Sequence, residues 1–200
     1  MSTAASSSAG AARPTHWLGL AAGHTSNAAA DRLLHRLATE LPLPAEALGQ
    51  SHRVGDGRLG LSLGLPDADT AGAVARRLAK AAPEAALAAP GAAPRGPAAW
   101  AADAATALAA APDGGRVVLF PGQADLPALL TVAELLSRTA IEAVRVLGGA
   151  TAAPDALVET HDHLRPERRD DTLLLRLTPA RTGFIPFEIP DPHPCCGGEH

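Results

Sequence analysis

His193-Pro194-Cys195-Cys196-Gly197-Gly198-Glu199-His200 carries the most pointed chemistry in this chain. It holds both cysteines and two of the eight histidines, so the soft donors are concentrated rather than scattered. A thiolate and a neutral imidazole each donate a lone pair to a borderline or soft cation. His193, Cys195, Cys196 and His200 therefore make a ligand set for zinc, copper or nickel. The order H-x-C-C-x3-H differs from the standard finger spacings, in which a C-x2-C loop wraps the ion. Adjacent cysteines bridge each other only with backbone strain, so the thiols are expected free or metal-bound. Exposed vicinal thiols also exchange and oxidise, which makes redox sensing the second chemistry of the tail. Pro190, Pro192 and Pro194 predict an extended, stiff approach to these donors.

Two further groups are candidates. His161-Asp162-His163 places imidazoles at i and i+2, which project to one side of an extended chain, so His161 and His163 are secondary metal candidates. His24 and Asp125 form a conceivable catalytic acid/base pair if the strands before them end at one edge of a sheet. That edge would also gather Gly23, Thr25, Ser26, Gly122, Gln123, Gly148 and Gly149, whose turns and helix starts offer free amides to a ligand or anion. No phosphate-loop or dinucleotide glycine pattern is present.

The elements that would position these groups follow from periodicity. Val117–Phe120 is a short apolar run and reads as a strand. Asp125 is placed to cap a helix with Leu126, Leu129, Leu130, Ala133 and Leu136 at helical spacing, and Ala143–Leu147 reads as a second strand. Arg116–Ala150 is thus expected to be a β-α-β unit with a right-handed crossover between parallel strands. Upstream, His16–Ala22 reads as a strand, and Gly23–Asn27 as a turn leading to a helix that runs to about Leu41 and is capped by Thr25 or Ser26. A hairpin turns at Gly55-Asp56-Gly57, and a helix runs over about Thr70–Ala82. Leu59, Leu61, Leu63 and Leu65 alternate with Gly60, Ser62 and Gly64, so one face is buried and the glycine face admits a close neighbour. Pro83–Pro97 reads as a linker or surface loop, Ala98–Ala111 as a helix by propensity, and Thr172–Thr178 with Phe184–Ile189 as an antiparallel hairpin.

The fold class expected is α/β: a mixed, mainly parallel sheet with flanking helices and a C-terminal antiparallel hairpin. The first half would be ferredoxin-like if a weak strand closed it. Residues 1–14 are expected to be a disordered N-terminus. A single α/β domain would follow over 15–189, with a sub-boundary at 83–97, and the extended Pro/Cys/His tail covers 190–200.

Leu18–Asn27 resembles, over about ten residues, the strand-Gly-His-turn-helix opening of the sirohydrochlorin and cobalt chelatase family, without a matching second histidine motif. That resemblance implies metal-assisted chemistry with His24 as ligand or base.

Composition narrows the classes. The formal net charge of −4 excludes a basic nucleic-acid-binding face, and the Arg165–Arg169 cluster reads as a solvated loop neutralised by Glu167 and Asp170-Asp171. No apolar run is long enough to span a membrane, and a cytoplasmic location follows. Three functions emerge. The first is a cytoplasmic accessory protein whose His/Cys tail binds or delivers a thiophilic metal or senses redox state. The second is a metal-assisted enzyme, chelatase-like or hydrolytic, at the strand edge. The third is an interaction module that meets a protein partner, or a second copy of itself, through Phe184–Pro190.

Overall fold

The computed structural model describes residues 13–189, so the Cys/His tail lies outside the described residues. Period-two patterning builds the first half. Strand β1 (His16–His24) and strand β3 (Arg58–Leu65) alternate Leu with Gly, Ala or Ser. Leu18, Leu20, Leu61 and Leu63 join the core formed by helices α1 (Asn27–Glu40) and α2 (Ala68–Ala81). Ser26 caps α1 by accepting from the Ala29 amide, and Asp67 caps α2 through Thr70. Strand β2 (Leu48–Gly55) forms the hairpin with β3, and strand β4 (Ala86–Ala88) lies on the other side of β1. The order β4-β1-β3-β2 is antiparallel throughout, a split β-α-β arrangement. Pro83–Pro97 is thus more than a surface loop. Ala86–Ala88 is buried, and Leu87 exchanges backbone hydrogen bonds with Arg95.

Helix α3 (Ala101–Ala110) covers the opposite, small-residue face. A Cβ on Gly19 would stand 2.2 Å from the Ala104 carbonyl oxygen, and one on Gly60 would stand 2.7 Å from Ala107 Cβ. Glycine facing alanine lets the helix lie directly on the strands. Arg58 fixes it in place with a two-pronged pair to the buried Asp103, at 2.7 and 3.3 Å.

The expected β-α-β unit is absent, and with it the mainly parallel sheet. Strand β5 (Gly115–Leu119) has β2 on one side and β9 (Glu167–Arg169) on the other, both antiparallel. Asp125 caps nothing: Pro121–Leu126 runs as turns, Asp125 is exposed, and the chain continues as a short strand β6 (Leu129–Thr131). The helix that follows, α4 (Val132–Arg138), has only seven residues and starts at a capping box between Thr131 and Glu134. A parallel neighbour needs a crossover of about a dozen residues or more, and this segment supplies no such helix. Strand β7 (Ala143–Val146) instead runs parallel to β10 (Thr172–Ala180), which arrives later in the chain. Strand β11 (Gly183–Pro186) pairs with β10 and touches β8 (Leu157–Glu159), which pairs with β6. The whole is one mixed, mostly antiparallel sheet of 11 strands with the main order β4-β1-β3-β2-β5-β9-β10-β11-β8-β6, and β7 on the remaining side of β10. Among the described residues only β7–β10 and the single β8–β11 contact are parallel.

Two cores result. Val118 of β5 faces the α1/α2 core, while Val117 faces a second core with Trp17, Leu135, Ile141, Leu175 and Leu177. Strand β5 therefore joins the two halves. Among the described residues, no helix is long and apolar enough to cross a membrane.

Candidate functional site

Asp31 stands on the apolar side of α1, one position after Ala30 and three before Leu34, and is 5% exposed. A carboxylate there must find cations. Arg116 reaches it from β5, with Nη1 and Nη2 at 2.6 and 2.9 Å from the two oxygens. Arg165 reaches it from the loop before β9, its Nε at 2.8 Å. The same Arg116 donates through Nε and Nη2 to Glu188, just after β11, with Nε at 2.8 and 3.0 Å from the two oxygens. Arg165 also donates to the Leu164 carbonyl at 2.9 Å, and its Nη2 lies 3.3 Å from His35 Nε2. Helix α1, strand β5, the 160–166 loop and the C-terminal segment thus meet at two guanidiniums and two carboxylates, which balance in charge.

The protonation states follow. Burial alone would raise the Asp31 carboxyl, but hydrogen bonds and charge from Arg116 and Arg165 prevail and hold it below its ordinary value. Burial acts the same way on Glu188 and is likewise outweighed, chiefly by Arg116. Burial, then the Arg165 charge, lowers His163 despite Glu188, and burial followed by Arg165 lowers His35. Both imidazoles are thus pushed toward the neutral form.

Backbone bonds set this loop. Thr160 N–H donates to the Ala128 carbonyl, His163 N–H to Thr160, and Val117 N–H to Pro166. His161 and Asp162 have φ of +52 and +51°, so the backbone turns where an extended run was expected. The two imidazoles part company: His161 is exposed with Nδ1 3.8 Å from Glu159, whereas His163 turns inward with Nε2 3.5 Å from Glu188 Oε1. The latter contact is not a hydrogen bond, and His163 Nε2 is a buried atom without a hydrogen-bond partner among the described residues. Asp31, His163 and Glu188 place ligand atoms within 4.8 Å of one another. Arg116 already supplies the cation between the two carboxylates, so a metal bound through Asp31 would have to displace guanidinium bonds. His163 is the donor left over.

The expected crevice does not assemble. Following the antiparallel pairings from β1 through β3 and β2, strand β5 points opposite to β1. His24 pairs with Leu59 at one end of this sheet, and Leu119 pairs with Gly49 at the other, so His24 and the turn holding Asp125 lie at opposite ends. Ser26 caps α1, Thr25 is exposed, and Gly23 backs onto Trp100. Gly122 packs against the Arg138 carbonyl, which leaves Gln123 in the following turn region, and Gly148 and Gly149 are exposed turn residues. His193, Cys195, Cys196 and His200 lie outside the described residues.

Sequence reasoning missed Asp31, Arg116, Arg165 and Glu188. Arg165–Arg169 is not the solvated loop its charge pattern suggests: Arg165 and Arg168 are buried, Arg168 on the Ala111 and Pro112 carbonyls, Asp171 and the Trp17 ring. Sequence reasoning also missed His52, whose Nε2 lies 2.8 Å from Ser62 Oγ. Burial, then the Arg168 charge, pushes His52 down to about 4. A neutral imidazole on a hydroxyl is a nucleophile–base geometry, but both residues are buried, Ser62 completely, so no substrate reaches them. A cavity of about 1010 Å³ lies by α4, β7 and β10, walled by Leu136, Ile141, Val144 and Leu173, and among the described residues none of the sequence-predicted site residues lines it. Comparison with protein-family models, curated proteins and solved structures finds no match for this chain.

Proposed function

We propose that this chain is a cytoplasmic accessory protein whose His193, Cys195, Cys196 and His200 bind or deliver a thiophilic metal, or sense redox state. The observation that carries the reading is the anchoring of the tail's root. Arg116 grips Glu188, five positions before His193, beside the His163 imidazole. Soft donors tethered this closely meet the folded surface at an effective concentration on the order of millimolar. A reducing compartment suits two adjacent thiols without a distant partner. Zinc fits the nitrogen and sulfur set, as do copper(I) and nickel.

Elemental analysis of the untagged chain purified under reducing conditions tests this, beside Cys195→Ser/Cys196→Ser. Near-stoichiometric metal that the double variant loses is the expected result. Metal-free protein that also takes up no zinc, copper(I) or nickel on titration sinks the metal reading.

A second reading has one observation behind it. Phe187 is 54% exposed next to Glu188, an apolar side chain suited to a protein partner or a second copy. Light scattering of Phe187→Ser checks this: a dimer in the parent that becomes a monomer in the variant supports it, and an unchanged mass removes self-association.

A further inference from the structure

The cavity beside α4, β7 and β10 has the size and walls of a ligand site. Its volume of about 1010 Å³ stands at the upper end for small-molecule pockets. Aliphatic side chains wall it: Leu48 from β2, Val132 and Leu136 from α4, Ile141 and Val144 around β7, and Leu173 from β10. Among the described residues no aromatic ring lines it, so the walls offer apolar contact rather than stacking. The wall hydroxyls are already committed. Ser137 donates to the Glu134 carbonyl, and Thr139 donates to the Leu135 carbonyl and accepts from the Ile141 N–H. Polar recognition is therefore left to the charged rim.

That rim is unequal in sign. Arg168 is closed to a ligand: its side chain is 7% exposed and donates to the Ala111 and Pro112 carbonyls and to Asp171. Arg13 is well exposed and spans Glu142 at 4.0 Å and Asp171 at 3.6 Å, contacts too long for hydrogen bonds. Those two carboxylates keep about half of their surface exposed, and Glu46 is exposed as well. A molecule entering the cavity thus meets three accessible acids, Glu46, Glu142 and Asp171, against one accessible cation, Arg13. Charge complementarity selects a cationic head, and the walls select an alkyl body. We propose that this cavity binds a small aliphatic amine, its alkyl body on Leu136, Ile141, Val144 and Leu173 and its ammonium among the three acids. A primary amine keeps its charge at pH 7, because such ammonium groups titrate at about 10.4. Binding here needs none of the donors of the metal site proposed above, so the two readings stand or fall separately.

The test is calorimetric titration of the full, reduced chain with decylammonium, octylammonium and decanoate, each below its micellar concentration. Decylammonium should bind at a single site. Octylammonium should bind roughly tenfold more weakly or worse, since each buried methylene is worth about fourfold. Decanoate should bind at least about fivefold more weakly than decylammonium, because it exchanges an exposed ion pair for repulsion. Glu142→Gln keeps an oxygen for the Leu173 N–H and should narrow that gap about two- to threefold. Decanoate that binds as tightly as the amine overturns the inference, and so does an amine that does not bind. Ala133→Trp, at an exposed position of α4 on the cavity wall, should abolish amine binding, and unchanged affinity in the folded variant overturns the site. Should Ala133→Trp disturb the fold, methyl NMR of the parent decides. Decylammonium must shift Leu136, Ile141 and Val144 and leave Leu34 and Leu37 of the α1/α2 core in place; unmoved cavity methyls overturn the inference.

Discussion

At the scale of residues, Asp31 sets the balance of the cluster. Among the described residues it is the only carboxylate bonded to Arg165, whose side chain is 4% exposed. Asp31→Ala should therefore destabilise the protein by about 3–5 kcal/mol, because it strands a buried guanidinium. Urea unfolding at pH 7 measures this, and a loss below about 1 kcal/mol would mean that Arg165 finds solvent. His52 gives a pH prediction. The unfolded chain protonates this residue near 6.5 and the folded chain near 4, so the unfolded state binds more protons between those values. Stability from this group is complete above 6.5 and declines as pH falls towards 4, by on the order of 3 kcal/mol. His52→Gln should shrink the stability gap between pH 7 and pH 4.5 by a similar amount. The Asp31 signal was present in the sequence as a charge on an apolar helical stripe. Its partners were not, since Arg116 and Arg165 stand 85 and 134 positions away and no local period links them. The Ser62–His52 pair was closer to hand: the Gly55-Asp56-Gly57 turn fixes the hairpin register, which sets Ser62 opposite Gln50, two residues from His52.

At the scale of elements, α3 depends on contact distance more than on greasy anchors. Gly19→Ala places a methyl against the Ala104 carbonyl and should cost about 1–3 kcal/mol. Gly72→Ala within α2 meets only the end of Arg76, at 3.5 Å, and should gain about 0.5–1 kcal/mol. Paired thermal melts of the two variants decide whether close approach, rather than backbone freedom, retains glycine at position 19. Helices α1 and α2 and the β2–β3 hairpin were readable from apolar period, caps and turn residues, because each is specified locally. The Thr131-x-x-Glu134 capping signature was also readable, but the longer leucine pattern starting at Asp125 suggested an earlier start that Pro127 and the preceding turns prevent. Partner choice among strands was not readable. Strand β5 is apolar on both faces whether its neighbours run parallel or antiparallel, so its composition cannot distinguish them.

At the scale of the whole molecule, the C-terminal segment closes the structure onto its beginning. Ending the chain at Ile189 keeps β11 and the Arg116–Glu188 pair, so its melting temperature should match the full chain within a few degrees. Ending it at Thr182 removes both, and cooperative unfolding should be lost; circular dichroism melts of the two truncations check this. The same closure has a consequence for synthesis. The chain leaves the ribosome at roughly 5–20 residues per second, so the 134 positions between Asp31 and Arg165 correspond to about 7–27 s. Once Ala88 has been made, the nascent β-α-β-β-α-β half is complete but holds an acid whose partners are still to come, with Arg116 arriving before Arg165. The N-terminal half is thereby kept from settling as an independent unit, and the final docking of α1 awaits translation of the last quarter of the message.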